Sequence, residues 1–215
     1  MERVTYFKKH WLWLIVNISA LIPLLFVLWD FAAGNLIDPV SAFTNRTGYM
    51  GLLLLVLSIV ITPLVTLTGW RKASTVRKSL GLQGFMYVSL HLLVFIGLDY
   101  GFSLDLILGD ALLSKRYILV GFTAFLLLLP LALTSTKGWM KQLGKRWKQL
   151  HRLVYLAVPL GVLHFIWVEK VPVESYIYAM IVALLLLARL PWARKQLSKI
   201  RQWFDSKERL RTTPA

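Results

Sequence analysis

The sequence predicts an all-α fold: a polytopic membrane bundle of six transmembrane helices with both termini in the cytoplasm. Composition is the first observation behind this. Of 215 residues, 57% are hydrophobic and 16% charged, with a mean hydropathy of +0.63, whereas a soluble domain carries about 25% charged residues. The second is a set of six apolar stretches, each long enough to cross a hydrocarbon layer of about 30 Å, which takes about 20 helical residues. The third is the one-sided placement of the 25 Lys and Arg residues between those stretches. Cysteine is absent. That excludes disulfides, thiolate-held iron–sulfur clusters, a thiolate nucleophile and C-x-x-C-H haem attachment. Any redox cofactor must be held non-covalently or by histidine.

The first span runs from Trp11 to Trp29. Lys8 and Lys9 precede it as they would in a secretory signal, but its apolar run is too long and no small-x-small cleavage site ends it, so it is read as retained. The second runs from Tyr49 to Trp70, the third from Leu82 to Leu98, the fourth from Tyr117 to Thr134, the fifth from Leu150 to Val168 and the sixth from Val173 to Leu190. Pro23, Pro63, Pro130 and Pro159 read as kinks whose freed carbonyls neighbouring helices can satisfy. Trp11, Trp13, Trp29, Trp70, Trp147, Trp167 and Trp192 fall at the ends of these spans, where an amphipathic ring prefers the headgroup region.

Orientation follows from the basic residues, because positively charged loops stay in the cytoplasm. With the N-terminus inside, 21 Lys and Arg lie on the inner side, and only Arg46, Lys115, Arg116 and Lys170 lie outside. The outer side also takes seven of the ten acidic residues: Asp30, Asp38, Asp99, Asp105, Asp110, Glu169 and Glu174. The net charge of +15 is thereby explained as a topology signal, and no nucleic acid is expected as a partner. The partner of the basic loops is the lipid bilayer.

No internal repeat, low-complexity tract or linker is evident, so residues 1–215 read as one transmembrane domain. Two inner segments have helical amphipathicity: Trp139, Leu143, Trp147 and Leu150 in the fourth connection, and Leu197, Ile200, Trp203 and Phe204 in the basic tail, 191–215. Both are expected to lie along the lipid surface. They serve either to anchor neighbouring spans or to dock a partner.

Function in such a chain must come from polar residues placed where lipid makes them expensive. Asn17, Thr62, Thr66 and Thr123 have an ordinary use in helix contacts. No Asp, Glu, Lys or Arg lies centrally in a span, which argues against an ion path or a proton-coupled pump. Histidine differs. His91 lies inside the third span, His164 deep in the fifth and His151 at the inner edge of the fifth. A neutral imidazole offers a lone pair to a metal, and two of them from adjacent helices can hold haem iron axially. His91 is about 7 residues and His164 about 4 residues from the outer end, so these two share a depth. They are the expected ligand pair. His151 lies 13 residues before His164, about 20 Å lower and about 140° round an ideal helix. Pro159 and Gly161 between them could shift that register, but His151 lies near the inner leaflet and needs a separate partner.

Several runs make the chain recognisable. They are Ser114-Lys115-Arg116-Tyr117-Ile118, Pro130-Leu131-Ala132-Leu133-Thr134-Ser135, Leu143-Gly144-Lys145-Arg146-Trp147 and Leu150-His151-Arg152-Leu153-Val154-Tyr155. Thr47-Gly48, Thr62-Pro63-Leu64, Arg77-Lys78-Ser79-Leu80-Gly81-Leu82 and Leu90-His91 agree with them. Together these closely resemble the MsrQ (YedZ) family of haem-binding membrane subunits, a ferric-reductase-like transmembrane class, over all six spans. The resemblance implies a bacterial inner-membrane protein holding one or two haems b, with His91, His164 and His151 on the family's histidine positions. It further implies FMN as a cofactor and electron supply from the quinone pool or a cytosolic flavin reductase. The expected acceptor is a periplasmic molybdoprotein of the MsrP type that reduces methionine sulfoxide in oxidised proteins. The wider class has a second histidine about fourteen positions before His91, where this chain has Arg77. Arg77 either contacts a haem propionate or flavin phosphate through charge-assisted hydrogen bonds, or is a topology charge.

No G-x-G-x-x-G opens a helix, and the tail is far shorter than a nucleotide-binding domain, so unaided oxidation of NAD(P)H is not expected. No hydrolytic set or phosphate loop is present either, and no catalytic residue is assigned. An electron conduit fits these features best. A self-sufficient haem reductase of metal or quinone, and a non-redox six-span transporter or assembly factor, are the competing classes. Turnover without a second subunit would favour the first, and a colourless preparation the second.

Overall fold

The computed structural model describes residues 2–109, 115–169 and 173–212; Asp110, Leu112, Ser114 and Lys170 lie outside them. Among the described residues the chain is helical, with no strand. In order the helices are α1 (Glu2–Ala32), α2 (Pro39–Thr68), α3 (Arg77–Val94), α4 (Leu104–Gly109), α5 (Arg116–Leu133), α6 (Lys137–Leu143), α7 (Lys145–Leu150), α8 (Val154–Val168), α9 (Val173–Leu187) and α10 (Pro191–Thr212). Five spans are long and apolar enough to cross a membrane: Trp11–Ala32, Pro39–Thr68, Arg77–Asp99, Arg116–Leu133 and Lys145–Val168. α9 completes a sixth only together with the start of α10, from which it is bent by 85°.

The helices overrun the apolar stretches where local signals extend them. α2 starts at Pro39, ten positions before the apolar run, because Asp38 caps it by accepting the Ser41 N–H at 3.0 Å and Pro39 suits the first helical turn. Gly69 ends it in the left-handed region at φ 72°, its N–H bonded to the Val65 carbonyl. α3 begins at Arg77 rather than Leu82, and α9 stops at Leu187, three short of the expected limit.

The bundle is built on two close helix pairs, α2 with α3 and α5 with α8. Small residues permit each approach. A Cβ on Gly84 of α3 would lie 3.1 Å from the Leu55 backbone nitrogen of α2, and in the second pair Ala124 of α5 and Ala157 of α8 are buried. The main core joins them through Leu55, Val56, Ile59, Leu128, Leu131, Ala157, Val158 and Val162. The lipid-facing side chains Ile18, Leu25, Phe26 and Trp29 leave α1 at the edge.

Polar clasps hold α1 to α3. Asn17 Oδ1 accepts from Ser79 Oγ at 2.5 Å and Gln83 Nε2 at 2.6 Å, the helix-contact role expected of Asn17. Tyr87, fully buried, donates its hydroxyl to the Ala20 carbonyl at 2.7 Å and accepts the Leu24 N–H at 3.2 Å, so it enters the α1 backbone ladder beside Pro23. Tyr87→Phe should cost about 1 kcal/mol in equilibrium unfolding in mixed micelles rather than the ~3 kcal/mol of two orphaned groups, because Ala20 and Leu24 are i, i+4 partners able to bond each other. A loss well above that would mean α1 cannot relax.

The stretch carrying Trp139, Leu143, Trp147 and Leu150, expected as one amphipathic helix, is broken at Gly144, whose φ of 50° and ψ of −119° separate α6 from α7. Trp147, read as an interfacial ring, has a partner within the bundle. It turns inward and donates Nε1–H to the Thr134 carbonyl at 3.0 Å. In the tail, Ile200, Trp203 and Phe204 do lie exposed on one long helix, α10.

Candidate functional site

Antiparallel packing gives the bundle an acidic end, with Asp30, Asp38, Asp99 and Glu174, and a basic end, with Arg77, Lys78, Arg152 and Arg194. Toward the acidic end, α3 and α8 bring His91 and His164 together. Their ring centroids are 6.0 Å apart and their planes nearly perpendicular, at 80°. The expectation of a shared depth therefore extends to direct proximity.

Both rings are held in the same way. His91 Nδ1 lies 2.9 Å from the Thr44 carbonyl of α2, and His164 Nδ1 lies 2.8 Å from the Tyr117 carbonyl of α5. A carbonyl oxygen only accepts, so each Nδ1 carries the ring proton and each Nε2 keeps its lone pair. Metal-ligating histidines adopt this state, with the second nitrogen donating to a carbonyl or carboxylate. A glycine one helical turn beyond each carbonyl makes room for the ring: a Cβ on Gly48 would lie 2.9 Å from His91 Nδ1, and one on Gly121 2.7 Å from His164 Nδ1.

The two half-sites are related by a repeat that the sequence does not display. Each histidine bonds a carbonyl 47 residues upstream. The second set is displaced from the first by 73 positions throughout, 44 to 117, 48 to 121 and 91 to 164. The same displacement relates Leu55 to Leu128 and the packing glycines Gly51 and Gly84 to Ala124 and Ala157. Helix pairs α2/α3 and α5/α8 are thus two copies of one device facing each other. Apolar side chains elsewhere exchange freely between the copies, which is why no repeat is legible in the sequence.

His151 is placed differently. It starts a 3-10 turn, His151–Leu153, so the register break between it and His164 lies at the foot of α8 rather than at Pro159. The Trp147 indole stacks on its ring at 3.9 Å, with planes 31° apart. Its Nε2 is 3.3 Å from Thr134 Oγ1, whose single proton is committed to the Pro130 carbonyl at 2.6 Å. Nε2 is therefore the donor in this pair, opposite to the two outer rings. The charges facing His151 are those of Arg77 and Lys78. Arg77 itself is exposed and donates Nη1–H to Thr62 Oγ1 at 3.3 Å. Between the two levels, Phe85 of α3 and Phe125 of α5 stack at 5.6 Å.

Among the described residues no three His, Asp or Glu side chains gather as a metal site. Two imidazoles without a third protein donor suit a metal whose other ligands arrive with it, in a planar macrocycle. At a centroid separation of 6.0 Å the two rings are near enough that His91 and His164 would hold one such group between them.

Residues 47–162 match the model of the ferric reductase like transmembrane component. The protein-methionine-sulfoxide reductase heme-binding subunit MsrQ of Rhodospirillum rubrum is 44% identical over 187 residues, 85% of this chain and 89% of that protein. This chain belongs to the MsrQ family. The MsrQ proteins of Herminiimonas arsenicoxydans and of Xanthomonas campestris pv. campestris strain 8004 are each 42% identical over 190 residues, spanning 85% and 83% of this chain and 85% of each relative.

Reading residues alone missed Gly121, the Thr44 and Tyr117 carbonyls, Thr134 and Arg189 in this MsrQ family member. A signal existed for one of them: Gly48 precedes His91 by the same interval that separates Gly121 from His164. Arg189 reads as a topology charge, yet its guanidinium reaches across the bundle. It donates to the Tyr155 hydroxyl, and also to the Ile59 carbonyl that Pro63, lacking an N–H, leaves free in α2.

Proposed function

We propose that this chain is the haem b membrane subunit of a methionine sulfoxide reductase system, with His91 and His164 as axial ligands of one haem. The observation that carries the reading is the pair of imidazoles tied at Nδ1 to equivalent carbonyls, each with a free Nε2. The names of the relatives, as heme-binding subunits, support it. Haem, when bound, supplies a one-electron carrier. The chain's own part is ligation and exclusion of water: α2, α3, α5 and α8 enclose the pair, and the two carbonyls hold the rings in the ligating tautomer.

Electrons enter at the basic, cytoplasmic end from the quinone pool or a cytosolic flavin reductase. They leave at the acidic, periplasmic end for an MsrP-type molybdoprotein, where methionine sulfoxide is reduced and oxidised periplasmic proteins are repaired. Placement of His91 and His164 toward the acidic end suits delivery to a partner on that side. His151 is the ligand of a second, inner haem, which requires it to release Thr134. Arg77 and FMN belong to that inner level, the guanidinium as contact to a propionate or flavin phosphate.

The test is the number of haems, irons and flavins per chain in purified wild type and in the three histidine variants. A reducible b-type Soret band with at least one haem per chain is expected, and a colourless protein from haem-replete cells overturns the reading. His151→Ala should remove at most half of the haem and leave the remainder with an unchanged axial-ligand EPR signature. Complete loss would place His151 in the same haem site as the outer pair.

A further inference from the structure

At the basic end, the 85° bend between α9 and α10 opens a cleft of about 410 Å³ against α2, lined by Thr66, Pro191, Arg194, Lys195 and Ser198. It is built almost wholly from groups that favour an anion. Pro191, which lines the cleft, opens the 22-residue α10, so the first turn of that helix borders it, with the Arg194 N–H bonded to the Leu190 carbonyl at 2.9 Å. Arg194 and Lys195 are exposed in that turn, Ser198 follows one turn along α10, and Thr66 lines the cleft from α2. Ser198 Oγ already donates to the Lys195 carbonyl and Thr66 Oγ1 to the Thr62 carbonyl, so both oxygens are turned to their own helices at present.

Beside the cleft, positive charges gather. Arg189 is close enough to Arg77 and Arg194 for both charges to act on it, and its Nε–H is buried with no hydrogen-bond partner. The Arg46–Asp30 ion pair lies at the opposite end of the bundle. Arg189 is half-buried while Arg77, Arg194 and Lys195 are exposed, and an anion placed among these like charges relieves their mutual repulsion. Depth identifies the kind of anion. Trp70 and Trp192, both exposed, flank this level and mark the headgroup region, and α10 leaves the bundle there with Ile200, Trp203 and Phe204 exposed along it.

We propose that the cleft between α2 and the start of α10 binds one phosphate group, that of an anionic phospholipid headgroup. Basic pockets between helices at a membrane surface bind such headgroups. The bound phosphate locks the α9–α10 bend and neutralises the arginine cluster. This does not depend on the haem ligands, so either reading can fail alone.

The full-length protein, delipidated in detergent, is titrated with phosphatidylglycerol, with zwitterionic phosphatidylcholine, and with inorganic phosphate. Thermal unfolding and lipid retention in native mass spectrometry are followed. Phosphatidylglycerol should raise the unfolding midpoint by about 5 °C, with one lipid retained per chain. R194Q/K195Q, which alters two exposed side chains, should weaken retention by about tenfold or more. K137Q/K141Q, a double change of equal charge on exposed α6, should leave it intact. Equal loss in both variants would reduce the effect to general surface charge and overturn the site, as would unaltered binding in R194Q/K195Q. Protection by inorganic phosphate equal to that of phosphatidylglycerol would overturn the lipid as the source.

Discussion

His164→Ala, and equally His91→Ala, should yield protein with less than about a tenth of the wild-type haem at the outer site, because either change removes one of the two proposed axial ligands. The loss should be local. Each ring is bound to a carbonyl of a neighbouring helix, and that carbonyl retains its own helical partner when the ring is gone. Helical circular dichroism and detergent monodispersity should therefore stay at wild-type values. Each truncation also leaves a space the size of the missing ring, so imidazole added at millimolar concentration should restore part of the Soret band. Haem content unchanged in both variants would remove the ligand assignment altogether. Unfolded protein without rescue would instead assign the rings a packing role.

Gly121→Ala should be nearly as damaging, and Gly48→Ala should match it. A Cβ at 2.7 Å from His164 Nδ1, or 2.9 Å from His91 Nδ1, is closer than any tolerated contact and falls on the atom that makes the orienting hydrogen bond. The ring must move away from its carbonyl, and with that bond weakened the choice of tautomer is lost. Supporting partners of metal-bound histidines are worth about 10- to 100-fold in affinity, and overpacking adds about 1–3 kcal/mol of destabilisation. The expected signature is a haem that is weakly retained, with shifted EPR g-values and midpoint potential, in a protein that still inserts and folds. Gly81→Ala in α3, where a Cβ meets nothing within 4 Å, serves as the control and should be silent. A large difference between Gly48→Ala and Gly121→Ala would contradict the two-copy relation of the half-sites.

How much of this was legible in the residues depends on the range of the interaction involved. The spans were readable because hydropathy is summed along one helix. Their extensions were not, because Asp38 with Pro39 lengthens α2 through a cap rather than through apolar residues. The depth of His91 and His164 could be counted, since each residue advances a helix by about 1.5 Å. Their facing could not. His151 shows the limit most clearly: an ideal-helix projection set it about 140° from His164 and left Pro159 and Gly161 as the places for a register change, whereas a 3-10 turn lies at His151–Leu153. Trp147 counted as an interfacial tryptophan, yet it covers His151 and bonds Thr134. Arg189 likewise counted only as a charge.

Taken one residue after another, the chain specifies a many-pass helical membrane protein without thiol chemistry, and two imidazoles at a common level in the bilayer. Those are properties of composition and of axial rise, which need no knowledge of neighbours. Which ring nitrogen is protonated, which carbonyl holds it, and that a glycine must stand behind each ring depend on the azimuth of one helix against another. That angle is set by side chains packed across α2/α3 and α5/α8, from positions far apart in the chain, and it exists only once the helices have met.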